Sequence, residues 1–357
     1  MKKIIRLTQK LVSIPSWVDA TNNENEINNF IYEYLIKNSN LKIEKQILKN
    51  GRFNILASNS SKIDRLIIGH TDTVPVAKDW TQDPFKPIIK DGYLYGRGST
   101  DMKGGLASMM LVATNNNLPL NTAFLFYVDE EYSFLGLKKF IQKYQNKLSP
   151  KVIISLDGSE LEIANGCRGL IEIEVEIKGI SCHAATPQFG KNAINIGYQI
   201  YQGLINYLKN YSDPNLGESS INLGMIKGGT APNVVPGSCY LVFDIRPATT
   251  RLKASMVEKE IKRIANLNQG KISRLVTNFD FGNWITPKTD LNFGLPFKDI
   301  SQSGYIDIAL LWEAFNKPIC FTFGAGTQFM AHKADEYIDI SKLNKLDKLL
   351  FDLIQKV

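Results

Sequence analysis

Histidine is scarce in this chain, with 3 in 357 residues, and cysteine nearly so, with 4. The cysteines, Cys167, Cys182, Cys239 and Cys320, form no CxxC or paired spacing. That suggests neither a disulfide framework nor a cysteine zinc site and points to a reducing cytoplasm. No stretch approaches the roughly 20 apolar residues of a membrane-spanning helix, so no membrane protein is read here. The opening "MKKIIRLTQKLVSIPSW" is interrupted by Arg6, Gln9 and Lys10, which suits an amphipathic first helix better than a signal peptide. Basic runs longer than a pair and aromatic-interleaved basic stripes are also missing. The net charge of +7, from 42 Lys+Arg against 35 Asp+Glu, is therefore read as a solvated surface and not as a nucleic-acid footprint.

What is present is an ordinary globular composition, 44% hydrophobic and 22% charged, in a chain long enough for one large domain and a smaller one. Up to about residue 165, helical patterns such as "NEINNFIYEYLIKN" alternate with short continuous apolar runs, "RLIIG", "TAFLFYV" and "KVIISL". This alternation predicts an α/β domain with a mostly parallel sheet and helices on both faces. From about residue 167 the texture changes to period-two strands, "LIEIEVEIKG" and "CYLVFDIRP", with helical stretches between and after them, and "ISRLVTNFDFG" as a last strand. The order strand, helix, strand, strand, helix, strand predicts a small α+β sandwich. After about residue 285 the first texture returns with "PICFTFGAG" and a terminal amphipathic helix, "SKLNKLDKLLFDLIQK". The expected division is residues 1–166 with 286–357, and an inserted domain over 167–285.

Polar groups follow each apolar run of the larger domain: His70 after "RLIIG", Asp129, Glu130 and Glu131 after "TAFLFYV", Asp157 after "KVIISL", and a glycine-rich loop leading to His332 after "PICFTF". Open parallel sheets bind ligands at the carboxyl ends of their strands, so these groups should converge. Asp101, in "YGRGSTDMKGGLASM", opens a helix behind a glycine-rich loop and joins them. Histidine and carboxylate together are zinc-type donors. Two ions sharing one carboxylate, each with a further histidine and acid, fit better than one. Asp72 would then accept the His70 ring N–H and fix its tautomer. Taken singly, each residue has a plain structural reading: His70 as a hydrogen-bonded core histidine, Glu130 and Glu131 as solvated charges, Asp101 as a helix N-cap. The repetition at strand after strand outweighs these.

The segments "GHTDTVPV", "DPF", "LYGRGSTDMKGGLA", "DEE", "GISCHAATPQFGKNAI", "GGTAPNVVPGSC", "DIRP" and "AHKADEYI" occur in this order. In this the chain resembles the acetylornithine deacetylase and succinyl-diaminopimelate desuccinylase family of co-catalytic zinc metallopeptidases, with its aminoacylase, dipeptidase and carboxypeptidase relatives. The resemblance implies a zinc-peptidase-like catalytic domain and an inserted ferredoxin-like lid through which subunits form a homodimer. It implies two divalent ions per chain, zinc first and cobalt as the alternative. Asp101 would bridge them, Glu131 and His332 would complete one site, and His70 and Asp157 the other. It further implies Glu130 as general base, a cis peptide after Asp101, and His183 as a donor to the oxyanion from the partner subunit's lid. Asn233 and Arg246, and more weakly Arg168, resemble substrate-gripping positions.

The implied activity is metal-dependent hydrolysis of an amide bond in an N-acyl amino acid or short peptide. Two features divide the substrate reading. "LDGSE" puts Asp157 where many deacylases carry a glutamate in a "GEP" context, which resembles the dipeptidase and aminopeptidase branches, whereas "HTDTVPVAKDW" and "AHKADEYI" lean to the acetylornithine deacetylases. "SGYIDIALL" replaces the "GTSD" of the desuccinylases. The alternatives are a dipeptidase or aminopeptidase of the same family and, more remotely, a non-catalytic binding protein.

Overall fold

A computed structural model describes residues 2–301, 303–304 and 307–357. Tyr305 and Ile306, within "SGYIDIALL", lie outside the described residues. The chain separates into two compact units, residues 1–165, 286–298 and 310–357 in the first and 166–285 with 299–309 in the second. Residues 299–309, expected with the larger domain, belong to the second unit. Arg168 ties Ser303 to this unit, its main-chain N–H donating to Ser303 Oγ at 3.2 Å and its Nε to the Ser303 carbonyl at 2.9 Å.

The first unit is built on a six-stranded mixed sheet in the order Lys42–Ile47, Phe53–Ser58, Thr122–Tyr127, Arg65–His70, Val152–Ser155, Ile319–Thr322. The first two pairings are antiparallel and the other three parallel. Every residue of Thr122–Tyr127 and of Val152–Ser155 is buried, which is why these strands read as continuous apolar runs and not as alternations. Helix Gly104–Ala113 is apolar nearly all round and correspondingly buried, with Lys3–Val12 and Ile340–Lys356 packed against it. The four parallel strands run the same way, so their carboxyl ends, at His70, Tyr127, Ser155 and Thr322, share one edge of the sheet.

The second unit has the connectivity β-α-β-β-α-β, with strands Leu170–Lys178, Ser220–Gly228, Ser238–Arg246 and Lys271–Phe281 and helices Ala193–Leu208 and Ala254–Leu267. The strand order is 220–228, 238–246, 170–178, 271–281, antiparallel throughout. Alternation sets its faces: Ile171, Ile173, Val175 and Ile177 are fully buried, while Glu172, Glu174 and Glu176 point the other way. Ile200, Leu204, Val257 and Ile261 of the two helices complete that core.

Candidate metal centre

His70 is the last residue of its strand and is 1% exposed. Its Nε2 lies 3.0 Å from Asp101 Oδ1. Its Nδ1 faces the main-chain carbonyl of Asp72 at 3.1 Å, with the Asp72 carboxylate farther off at 3.7 Å. The expected contact from the ring to the Asp72 carboxylate is thus replaced by one to the carbonyl of the same residue. The carboxylate itself is taken by the next strand's turn, Oδ1 accepting from Glu130 N at 3.1 Å and Oδ2 from Glu131 N at 2.9 Å. One aspartate therefore orients the histidine through its backbone and both glutamates through its side chain.

Asp101 does not open the helix. Its φ of −128° and ψ of 96° are non-helical, its side chain caps nothing, and the regular helix begins at Gly104. The peptide between Asp101 and Met102 is cis, as expected. Freed from capping, the carboxylate faces two histidines: Oδ1 faces His70, and Oδ2 lies 3.2 Å from His332 Nε2. That nitrogen is also 3.0 Å from Glu131 Oε1. Glu131 is no solvated charge, since its side chain is 7% exposed.

Asp157 arrives through a close approach of two loops. A Cβ on Gly158 would lie 2.5 Å from Gly324 N, so only glycine lets the turn after Asp157 press against the end of strand Ile319–Thr322, where the loop to His332 begins. Burial, and after it the Asp101 carboxylate, pushes Asp157 up to about 7. Glu130 is raised well above the ordinary carboxylate range by removal from water, with His70 opposing and Glu131, Asp157 and Asp72 adding to the rise. His332 is pushed up to about 10 by Asp101 and Glu131. Burial works against the charged form of His70, yet Asp101 and Asp72 leave it raised. Crowded carboxylates that need a positive charge on both rings form the electrostatic setting a bound cation would satisfy.

The donor set fits a metal. Ligands 2.0 to 2.2 Å from one tetrahedral ion stand roughly 3.3 to 3.6 Å apart. The separations of 3.0 Å for His70 with Asp101, 3.2 Å for His332 with Asp101 and 3.0 Å for His332 with Glu131 fall just short of that range, so the donors would part slightly to admit an ion. His70, Asp101 and Glu131 each offer a ligand atom within 4.8 Å of the other two. The two oxygens of Asp101 each face a different histidine, which suits a bridging carboxylate better than a single-ion ligand.

His183, Asn233, Arg246 and Arg168 belong to the second unit. His183 is exposed, and its Nδ1 accepts from Ala185 N at 3.0 Å, so in the neutral ring the proton sits on Nε2. Asn233 is beside it, its carbonyl accepting from Ala184 N at 2.9 Å. Arg246 forms a two-pronged pair with Asp244, at 2.7 and 2.9 Å. Arg168 meets only neutral acceptors, the Ser303 and Glu218 carbonyls and Ser220 Oγ, with no carboxylate partner among the described residues.

Sequence reasoning assigned no role to several buried ions around the centre. Asp129, in a left-handed conformation at φ 71°, donates from its N–H to Glu24 and accepts from Arg52 at 2.6 Å, and its other oxygen takes the N–H groups of Ser133 and Leu135. This fixes the turn that presents Glu130 and Glu131. Arg97 and Glu336 form a second buried pair at 2.7 Å. Both lie inside quoted segments, "LYGRGSTD" and "AHKADEYI", so their motifs could have flagged them; Glu24 and Arg52 carry no signal in the sequence.

Comparison with known proteins gives the family of the chain and the likeness of its fold. The model of peptidase family M20/M25/M40 matches residues 66–356. The succinyl-diaminopimelate desuccinylase of Buchnera aphidicola from Acyrthosiphon pisum is 30% identical over 84% of this chain and 81% of its own. The acetylornithine deacetylase of Buchnera aphidicola from Schizaphis graminum is 26% identical over 98% of this chain and 97% of its own. In fold, the chain is similar to an M20 family metallo-carboxypeptidase from Sulfolobus solfataricus, with a TM-score of 0.82, 18% identity and 99% of both chains covered. The resemblance read from the motifs is borne out: the chain belongs to peptidase family M20/M25/M40, and with it to the metal-dependent hydrolases of amide and peptide bonds.

Proposed function

We propose that this protein is a two-metal hydrolase that removes the acyl group from a small N-acyl amino acid. The observation that carries the proposal is the Asp101 carboxylate, with His70 at one oxygen and His332 at the other. Asp101 would hold both ions, Glu131 and His332 completing one site and His70 and Asp157 the other. Zinc suits these donors best, and cobalt is the usual substitute. Bound there, the ions supply Lewis acidity and lower the pKa of a water from 15.7 towards roughly 7.

The chain's own groups do the rest. Glu130, presented by Asp72 through its main-chain N–H and raised by its surroundings, takes the proton from the attacking water and returns it to the leaving amine nitrogen. His183 donates from Nε2 to the developing oxyanion. In this reading the second unit acts as the lid and dimerisation domain, with His183 reaching the partner subunit's centre and Asn233 beside it against the substrate. Arg168, which hydrogen-bonds to no carboxylate among the described residues, grips the substrate carboxylate. Arg246 is already paired and plays the lesser part.

Cleavage of dipeptides is the second reading, favoured by Asp157 in place of the deacylase glutamate. A panel of N-acetylated and N-succinylated amino acids and dipeptides, offered to the zinc- or cobalt-loaded enzyme, separates the two. Glu130→Ala should retain two ions per chain and lose kcat by about 10²- to 10⁴-fold, the usual contribution of a positioned base. Undiminished turnover in that variant would refute the assigned base.

A further inference from the structure

Glu336 lies four residues beyond His332 and is 1% exposed. Its carboxylate is saturated by four donors. Oε2 accepts from Arg97 Nη1 at 2.7 Å and Gly98 N at 2.9 Å; Oε1 accepts from Thr100 N at 2.9 Å and Asp101 N at 3.1 Å. Three of these are main-chain N–H groups of the segment that ends in Asp101, wrapped around one anion. The wrap requires Gly98, whose φ is +80° and whose Cβ, if present, would lie 2.8 Å from Thr73 Cγ2. Two further bonds tie the same two segments together. Thr100 Oγ1 donates to the Tyr337 carbonyl at 2.5 Å and accepts from Thr327 N at 3.1 Å.

Burying a carboxylate among backbone N–H groups is a demanding way to join two loops when an apolar contact would serve. Its particular effect is directional. The donors fix the main chain of Asp101 itself, and Glu336 is carried by the same loop as His332, whose Nε2 must stand 3.2 Å from Asp101 Oδ2. We infer that Glu336 is a positioning residue of the metal centre: it holds the Asp101 carboxylate at the height and rotation from which its two oxygens address His70 and His332, and Arg97 orients Glu336 in turn. The inference rests on the metal-centre reading above and adds to it a residue that touches neither ion nor substrate.

The test is zinc affinity, measured by competition with a chromophoric chelator on the full chain. Glu336→Gln preserves shape but replaces one acceptor oxygen by an NH2 group that faces N–H donors. It should bind zinc 10- to 100-fold more weakly than the wild type, the usual cost of losing a group that orients a ligand. Ile27→Ala, in the apolar core of the same unit, serves as the stability control. A Glu336→Gln protein that binds as tightly as the wild type, or no more weakly than Ile27→Ala, overturns the inference and leaves Glu336 a fold staple. Should Glu336→Gln not fold, Glu336→Asp, which keeps the charge and withdraws it by one methylene, takes its place with the same expectation. A wild type that binds no zinc would instead sink the metal-centre reading, so the two failures are told apart.

Discussion

In the first unit Glu24, Arg52, His70, Asp72, Arg97, Lys103, Asp129 and Glu336 are all 9% exposed or less, whereas among the described residues of the second unit Asp307 is the one charged side chain so buried. The second unit encloses an interior rich in Ile, Val, Leu and Phe, with Glu172, Glu174 and Glu176 on the other face of its sheet. Buried ions cost free energy unless paired, so a domain that collects them is using them for something other than cohesion. In the first unit Lys103 donates to the Ile14 carbonyl at 2.8 Å, and the others are paired or hydrogen-bonded around two turns, one presenting Glu130 and Glu131 and the other presenting Asp101. The second unit rests chiefly on apolar packing, and the residues proposed to act from it are exposed, as His183 and Asn233 are, or half-buried, as Arg168 and Arg246 are.

The largest expected effect breaks the first side of this contrast. Asp101→Ala removes the one carboxylate that both histidines address, so it should cost both ions and all measurable turnover. Elemental analysis after gel filtration in zinc checks it, and two ions retained per chain would contradict the bridging role. Next in size is a substitution on the other side. Phe243→Ala, at a fully buried position of the second core, should lower the unfolding free energy by about 3 to 5 kcal/mol, read from urea denaturation. The folded fraction should still carry its full complement of metal. Loss of zinc from folded Phe243→Ala protein would show that the two units do not divide their tasks in this way.

The same contrast explains what could be read from the sequence. Continuous apolar runs and period-two strands depend on burial of one or both faces, which local patterning records directly. The parallel strands, the β-α-β-β-α-β order and the convergence of His70, Asp101, Glu131 and His332 followed from that. The end of the second unit was not visible, because residues 299–309 return to it through contacts of Arg168 with a loop remote in the chain. Nor did patterning show that Asp72 would meet His70 through its carbonyl and spend its carboxylate on Glu130 and Glu131. Such details depend on which main-chain groups remain unpaired at a turn, and residue type does not encode them. Glu24 and Arg52 illustrate the limit: they are 28 positions apart, and they meet only because both reach under the turn at Asp129.

The smallest expected effect sharpens the account of the second unit, where the proposed roles fall to exposed and half-buried polar groups. Arg168 and Arg246 have the same side chain but different surroundings. Arg246 has its fork filled by Asp244, and a substrate carboxylate would have to displace that partner. Arg168 is held by two carbonyls and a hydroxyl, neutral acceptors that aim the guanidinium without cancelling its charge. A charge-assisted hydrogen bond contributes about 1.5 to 3 kcal/mol, so its loss at a solvent-accessible site corresponds to a change in KM of about 10-fold. Arg168→Ala should therefore raise KM by about that factor for substrates with a free carboxylate and leave kcat nearly unchanged. Substrates with the carboxylate capped as an amide should be insensitive to the substitution. Arg246→Ala should have the smaller effect on KM, because removing it frees Asp244 from a pair already complete within the chain. Equal sensitivity to both substitutions would mean that the Asp244 pair opens when substrate binds and that the two arginines act together.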